Sequence, residues 1–153
     1  MTTTIDRDAS AIGGLLVEPV QTQGQLAIVQ HVVPPHGLGA PLHTHSATTE
    51  VHICVAGRIG ARVGGTDRVL DVGELSVAPI GIPHTFWNPT DEPARILEVI
   101  TPPGFEKYFD DLRKGFGPDG FDFEVVGAAM AAHDIEADMA SIPALLGEHG
   151  LVL

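Results

Sequence analysis

Between residues 26 and 100 the apolar side chains come in short runs, several of them alternating with polar ones, and glycine or proline separates run from run. This rhythm predicts strands over 26–33, 50–55, 58–63, 68–70, 75–78, 85–87 and 95–100. Gly64 and Gly65 fall between two of the runs and predict a two-residue hairpin turn, since glycine reaches the positive φ angles such turns need. Many short strands with turn signals at regular intervals describe an all-β antiparallel sandwich or barrel. The period changes after Pro102-Pro103, where Phe105, Tyr108, Phe109, Leu112 and Phe116 recur at helical spacing up to the stop at Gly117-Pro118. That stripe is read as packing, either a lid on the barrel or a dimer contact. A last helix is expected over 134–149, with Ile135, Met139, Ile142 and Leu145 on one side, Pro143 dividing it and Gly150 ending it. Residues 1–14 read as a polar arm, 15–101 as the barrel core and 102–153 as a helical extension packing on the barrel.

Composition narrows the function classes. A chain of 153 residues, 44% hydrophobic and 18% charged, suits one folded domain with a sizeable core. Its 20 acidic against 8 basic residues give a formal charge of -12, which repels phosphate backbones and anionic lipid and argues against nucleic-acid or membrane partners. The acid is concentrated in the last third of the chain and reads as solvated surface. Cys54 is the single cysteine, so no intrachain disulfide forms. A basic segment followed by an apolar run is lacking at the N-terminus, and no window is apolar enough to span a bilayer, so the expectation is a soluble cytoplasmic protein.

The stretch PLHTHSATTEVHICVAG, residues 41–57, adds chemistry to a strand pattern. Side chains alternate between the faces of a strand, so His43 and His45 share a face if the backbone is extended, as do Glu50, His52 and Cys54. Two imidazoles and a carboxylate converging on an apolar wall are expensive to desolvate without a cation. In the second cluster, residues 73–89, Pro79 and Gly81 form a turn and place His84 and Phe86 on one face of the next strand, making His84 the natural third imidazole. Three neutral nitrogens and one carboxylate leave two positions open on a six-coordinate ion, a set that suits Fe, Mn, Ni or Co, and Zn less well if all four bind. Phe86 should line the pocket beside His84, with Trp87 on the opposite side. Cys54 reads as a small buried hydrophobe on the pocket face, and His31, His36, His133 and His149 receive no site assignment.

The spacing of these residues resembles that of the cupins. Gly37, His43, His45, Glu50 and Gly57 reproduce the first motif of that family, G(x)5HxH(x)4E(x)6G. Gly73, Pro79, Gly81, His84 and Asn88 reproduce the second, G(x)5PxG(x)2H(x)3N, fifteen residues further on. The resemblance implies a single-domain double-stranded β-helix, or jelly-roll barrel, and one divalent metal ion on His43, His45, Glu50 and His84, with Asn88 a structural turn residue. PPHGLGAPLHTH, TPPGFEKYFDDL and the terminal HGLVL are further similar to small bacterial cupins related to quercetin 2,3-dioxygenase. That likeness implies a dioxygenase acting on a metal-chelating flavonol-like substrate, with Glu50 as ligand and general base. It also implies a homodimer, with Trp87 and the Phe105 helix as contacts. Position 52 departs from it: quercetinase-like cupins commonly carry an aromatic residue there, and this chain has His52. Expected to support Glu50 by a hydrogen bond, His52 is also a candidate acid-base and pocket residue, and a second titratable group suits an isomerase, cyclase or lyase as well. A non-catalytic small-molecule binding module is the third expectation.

Overall fold

A computed structural model describes residues 10–12, 15–117 and 120–153, with side chains from residue 24 onward except 117–121. Two antiparallel sheets face one another. The first has the order β1 (Ser10–Ile12), β2 (Leu15–Gln23), β3 (Leu26–Val33), β10 (Ala94–Thr101), β5 (Thr49–Ala56) and β8 (Leu75–Ala78). The second runs β13 (Ile135–Asp138), β4 (Leu42–His45), β9 (His84–Trp87), β6 (Ile59–Val63) and β7 (Thr66–Leu70). Phe116–Gly117 and Gly120–Phe121, β11 and β12, form a separate small ribbon. This is the antiparallel sandwich expected from the strand rhythm and the jelly roll that the resemblance implies. Gly64 and Gly65, at φ 56° and 81°, make the turn between β6 and β7.

Alternation along the strands sorts the core. Ala27, Val29 and Val33 of β3, Ile96 and Ile100 of β10, and Cys54 of β5 are buried from one sheet; Ile59, Ala61 and Phe86 meet them from the other. Trp87 is buried as well, so β9 is covered on both faces. Its indole stacks on the His149 ring at 4.0 Å. Phe105 also lies inside the core cluster. Among the described residues no helix is long and apolar enough to cross a membrane.

The ends of the chain depart from the periodicity reading in four places. Ser10–Ile12, within the expected polar arm, pairs with Leu15–Val17; the rest of 1–14 lies outside the described residues. The helix expected over 134–149 begins only at Ile142: β13 pairs along β4, Met139–Ser141 is a single 3-10 turn, and α3 spans Ile142–His149. Ile135 and Ala137 are half-buried while Glu136 and Asp138 are exposed, a period of two that the helical spacing of Ile135 and Met139 masked. Pro143 does not divide α3 but opens it, in the first turn where no backbone donor is needed. The aromatic helix is shorter than the stripe, a 3-10 turn at Phe105–Lys107 leading into α1 (Tyr108–Arg113). An additional helix, α2 (Phe123–Ala132), is capped by Asp122, whose carboxylate accepts from the Glu124 and Val125 amides.

Candidate metal centre

Three strands carry the quartet. β4 points His43 and His45 inward, β5 places Glu50 inward at its start, and β9 opens with His84, paired directly with His43. The turn before β9 is tied to β4: Gly81, at φ 73°, donates its N–H to the His45 carbonyl at 2.9 Å. Asn88 serves the turn after β9, donating to the Val33 and Glu92 carbonyls and accepting from the Thr90 amide. One ligand atom from each of His43, His45, Glu50 and His84 lies within 4.8 Å of the others, and all four residues are buried. Donors held about 2.0–2.2 Å from a common centre lie at most about 4.4 Å apart, so a small closure around an ion is all the quartet needs.

The hydrogen bonds around the quartet prepare nitrogen lone pairs. The Nδ1 of His43 donates to the Pro41 carbonyl and that of His84 to the Ile82 carbonyl, each at 2.9 Å, which leaves both Nε2 atoms as acceptors when the rings are neutral. His84 Nε2 then faces Glu50 Oε2 at 3.1 Å, two electron-rich atoms that a proton or a cation must reconcile. His45 Nε2 and Glu50 Oε1 are 3.0 Å apart but not aligned to bond, and both remain without a partner. Unpaired buried polar atoms each cost about 1–3 kcal/mol. Lone pairs aimed past one another toward a shared centre are what a divalent cation satisfies, and the donor set fits one.

Electrostatics agrees with a neutral His43 beside an ionised Glu50. Burial first, then the neighbouring His84 and His45, lowers the His43 pKa to about 3. Burial acts to raise the Glu50 pKa, but the His45 and His84 imidazoles, aided by His52, hold it well below the usual carboxylate range. A depressed folded-state pKa means that the unfolded chain binds protons the folded one refuses, so stability is present above the unfolded value and lost below it. The metal-free protein is therefore expected to lose stability progressively as pH falls from about 6.5 toward 3, with His43 dominating the upper part of that window. Urea unfolding at stepped pH checks this; a stability flat across the window would show that His43 takes up a proton readily in the fold.

His52 is buried behind Glu50. Its Nε2 lies 3.6 Å from Glu50 Oε2 and 3.3 Å from Glu98 Oε1. Burial opposes a charge on His52, yet the hydrogen bond to Glu98 and the charges of Glu98 and Glu50 prevail and raise its pKa. Cys54 is fully buried, its thiol directed at the Ala56 and Gly57 carbonyls. Beside the quartet lies a cavity of about 480 Å³. His43 and Phe86 line it, and His52 and Cys54 are not among its lining residues. Much of its wall comes from the extension, including Phe105, Tyr108, Phe109, Leu112 and Val126. No lysine or arginine lines it among the described residues.

Sequence reasoning missed two polar groups of this cavity, His31 and Glu98. The available signal was alternation: His31 stands in the inward series Ala27, Val29, Val33, and Glu98 in the series Ala94, Ile96, Ile100. Each reads alone as an exception; 67 positions apart, they meet only through strand pairing.

Residues 29–100 match the protein family described as Cupin domain. Among solved structures, KdgF from a Halomonas species is 21% identical with a TM-score of 0.56, over 60% of this chain and 82% of that one. A protein from Thermus thermophilus is 26% identical with a TM-score of 0.54, over 57% and 83% of the two chains. A sugar phosphate isomerase of the cupin superfamily from Silicibacter pomeroyi is 21% identical with a TM-score of 0.54, over 59% and 60%. No curated protein matches. The chain thus has the cupin fold, with a buried His/Glu cluster able to hold a metal ion.

Proposed function

We propose that this cupin is a metal-dependent enzyme that grips a compact apolar molecule by an enol or phenol oxygen, and that its reaction is dioxygen-dependent cleavage of a flavonol-like substrate. The observation that carries this reading is that His43, one of the four residues of the His43, His45, Glu50 and His84 quartet, lines an apolar cavity of about 480 Å³. That volume lies in the range of small-molecule sites, roughly 300–1,000 Å³. Among the described residues no lysine or arginine lines the cavity to hold a phosphate, so the substrate named for the isomerase neighbour is not carried over.

A divalent ion held by the quartet would supply Lewis acidity and, if iron, nickel, manganese or cobalt, a route for dioxygen; zinc would supply Lewis acidity alone. The side chains of the chain do the rest. In this reading Glu50, whose Oε1 is buried and unpartnered, takes the hydroxyl proton of the substrate. His52, close to both Glu50 and Glu98, holds the carboxylate in position. Phe86 and Phe109 keep water from the reacting end.

Oxygen uptake with quercetin, using protein loaded in turn with each metal, tests the reading. Glu50→Gln is expected to retain metal through the three imidazoles while lowering turnover by about 100-fold or more, the usual yield of a positioned base. Unchanged turnover with metal retained would remove Glu50 from the base role. A second reading has its own support in the buried His52–Glu98 contact at 3.3 Å, which gives the site a second proton-handling pair suited to isomerisation, cyclisation or elimination. Conversion of an enolisable substrate under strict anaerobiosis would favour it, and ligand binding without turnover would favour a binding module.

A further inference from the structure

One polar feature of the cavity is not used by the metal ligands. His31 and Glu98 come from the neighbouring strands β3 and β10, each in an inward series that is otherwise apolar, and both line the cavity. They are 1% and 3% exposed. His31 Nε2 lies 2.6 Å from Glu98 Oε2. Burial and the Glu50 charge push the Glu98 pKa up, but the His31 and His52 imidazoles outweigh them and hold it below the ordinary value. An ionised carboxylate only accepts, so the His31 Nε2 carries the hydrogen, and when the ring is neutral its Nδ1 is left as an acceptor. That Nδ1 is buried and has no hydrogen-bond partner. Its ring lies between Phe86 and Phe109, with centroids 5.6 and 5.3 Å away, and both phenyls are cavity walls that offer no donor. The other Glu98 oxygen reaches His52, which in turn stands 3.6 Å from Glu50, so the pair sits one imidazole away from the quartet.

We propose that His31, held by Glu98, is a second substrate-binding group of the cavity, its Nδ1 accepting a hydrogen bond from a hydroxyl of the same molecule that the quartet holds. The substrate class narrows accordingly to apolar ring compounds with two oxygen functions, one facing the quartet and a free hydroxyl facing His31. The inference rests on the proposed reading of the cavity as the substrate site; the contact to His31 itself needs neither the metal nor the reaction.

The probes are 4-methylphenol and toluene, which differ by one hydroxyl. Each is titrated calorimetrically into the full chain, and in parallel into 15N-histidine-labelled protein followed by NMR, where the His31 resonances are assigned by their loss in His31→Leu. 4-Methylphenol, and not toluene, is expected to shift the His31 Nδ1 resonance. His31→Leu should weaken 4-methylphenol roughly five- to tenfold, the worth of one buried hydrogen bond, and leave toluene unchanged. Glu98→Gln, which keeps the side-chain size, should draw His31 away from its Nε2–H form in the same spectra and provides the reading if His31→Leu does not fold. Equal effects on both probes, 4-methylphenol bound with His31 unmoved, or neither probe binding would each overturn the proposal. Because none of these readouts needs metal or turnover, a failed oxygen-uptake assay and a failed His31 assay are distinct results.

Discussion

Protein carrying His43→Ala and His84→Ala together is expected to purify without metal, while the parent chain carries about one ion. The two imidazoles stand opposite one another across β4 and β9, and each has its Nδ1 committed to a backbone carbonyl, which leaves its Nε2 for the ion. Adding the metal should raise the melting temperature of the parent and not of the variant, because binding to the folded state alone adds stability by mass action. His36→Ala is the control, since His36 pairs with exposed Asp91 away from the quartet. Elemental analysis reads the result. A full equivalent retained in the double variant would place the ion instead on Glu50, His52 and Glu98, which also converge within 4.8 Å. The metal found also directs the chemistry: iron, nickel, manganese or cobalt leads to oxygen-dependent substrates, and zinc to Lewis-acid reactions.

The second large effect is in packing. A Cβ on Gly60 would lie 2.1 Å from Trp87 Cε2 and 2.2 Å from its Nε1, well inside any real contact. The indole has no room to retreat, since it is 3% exposed and stacked on His149. Gly60→Ala is therefore expected to cost about 1–3 kcal/mol, the usual penalty of overpacking, and to lower the melting temperature by several degrees. Gly127→Ala should behave oppositely. It lies within α2 with open space where its Cβ would go, and alanine there gains about 0.5–1 kcal/mol over glycine. Thermal melts of the pair with matching stability would show that the Trp87 contact yields easily.

The quartet was legible because a strand imposes a period of two. HxH on one strand and Glu50 at the start of the next leave little freedom over which way those side chains face, and the Pro79 and Gly81 turn brings His84 to His43. The strands of the barrel were legible for the same reason. Two kinds of feature were not. β13 reads as helix because Ile135, Met139 and Ile142 satisfy a helical period too; what decides the matter is the free edge of β4, a long-range partner no local window contains. The same holds for His31 and Glu98, whose pairing depends on β3 and β10 being neighbours. The strand pattern alone leaves Trp87 open to a second subunit; α3, folding back with His149 over it, is hidden by the same misread segment.

The two halves of the cavity have different origins in the chain. The quartet is spelled out between residues 43 and 84, inside the barrel, whereas Phe105, Tyr108, Phe109, Leu112 and Val126 belong to the extension that follows it. Much of the apolar wall is thereby written in a separate stretch of sequence from the cluster able to hold an ion. Drift in the extension can reshape the cavity without touching that cluster, and a graft of this tail onto another barrel of the same topology would carry over a wall without the ligands.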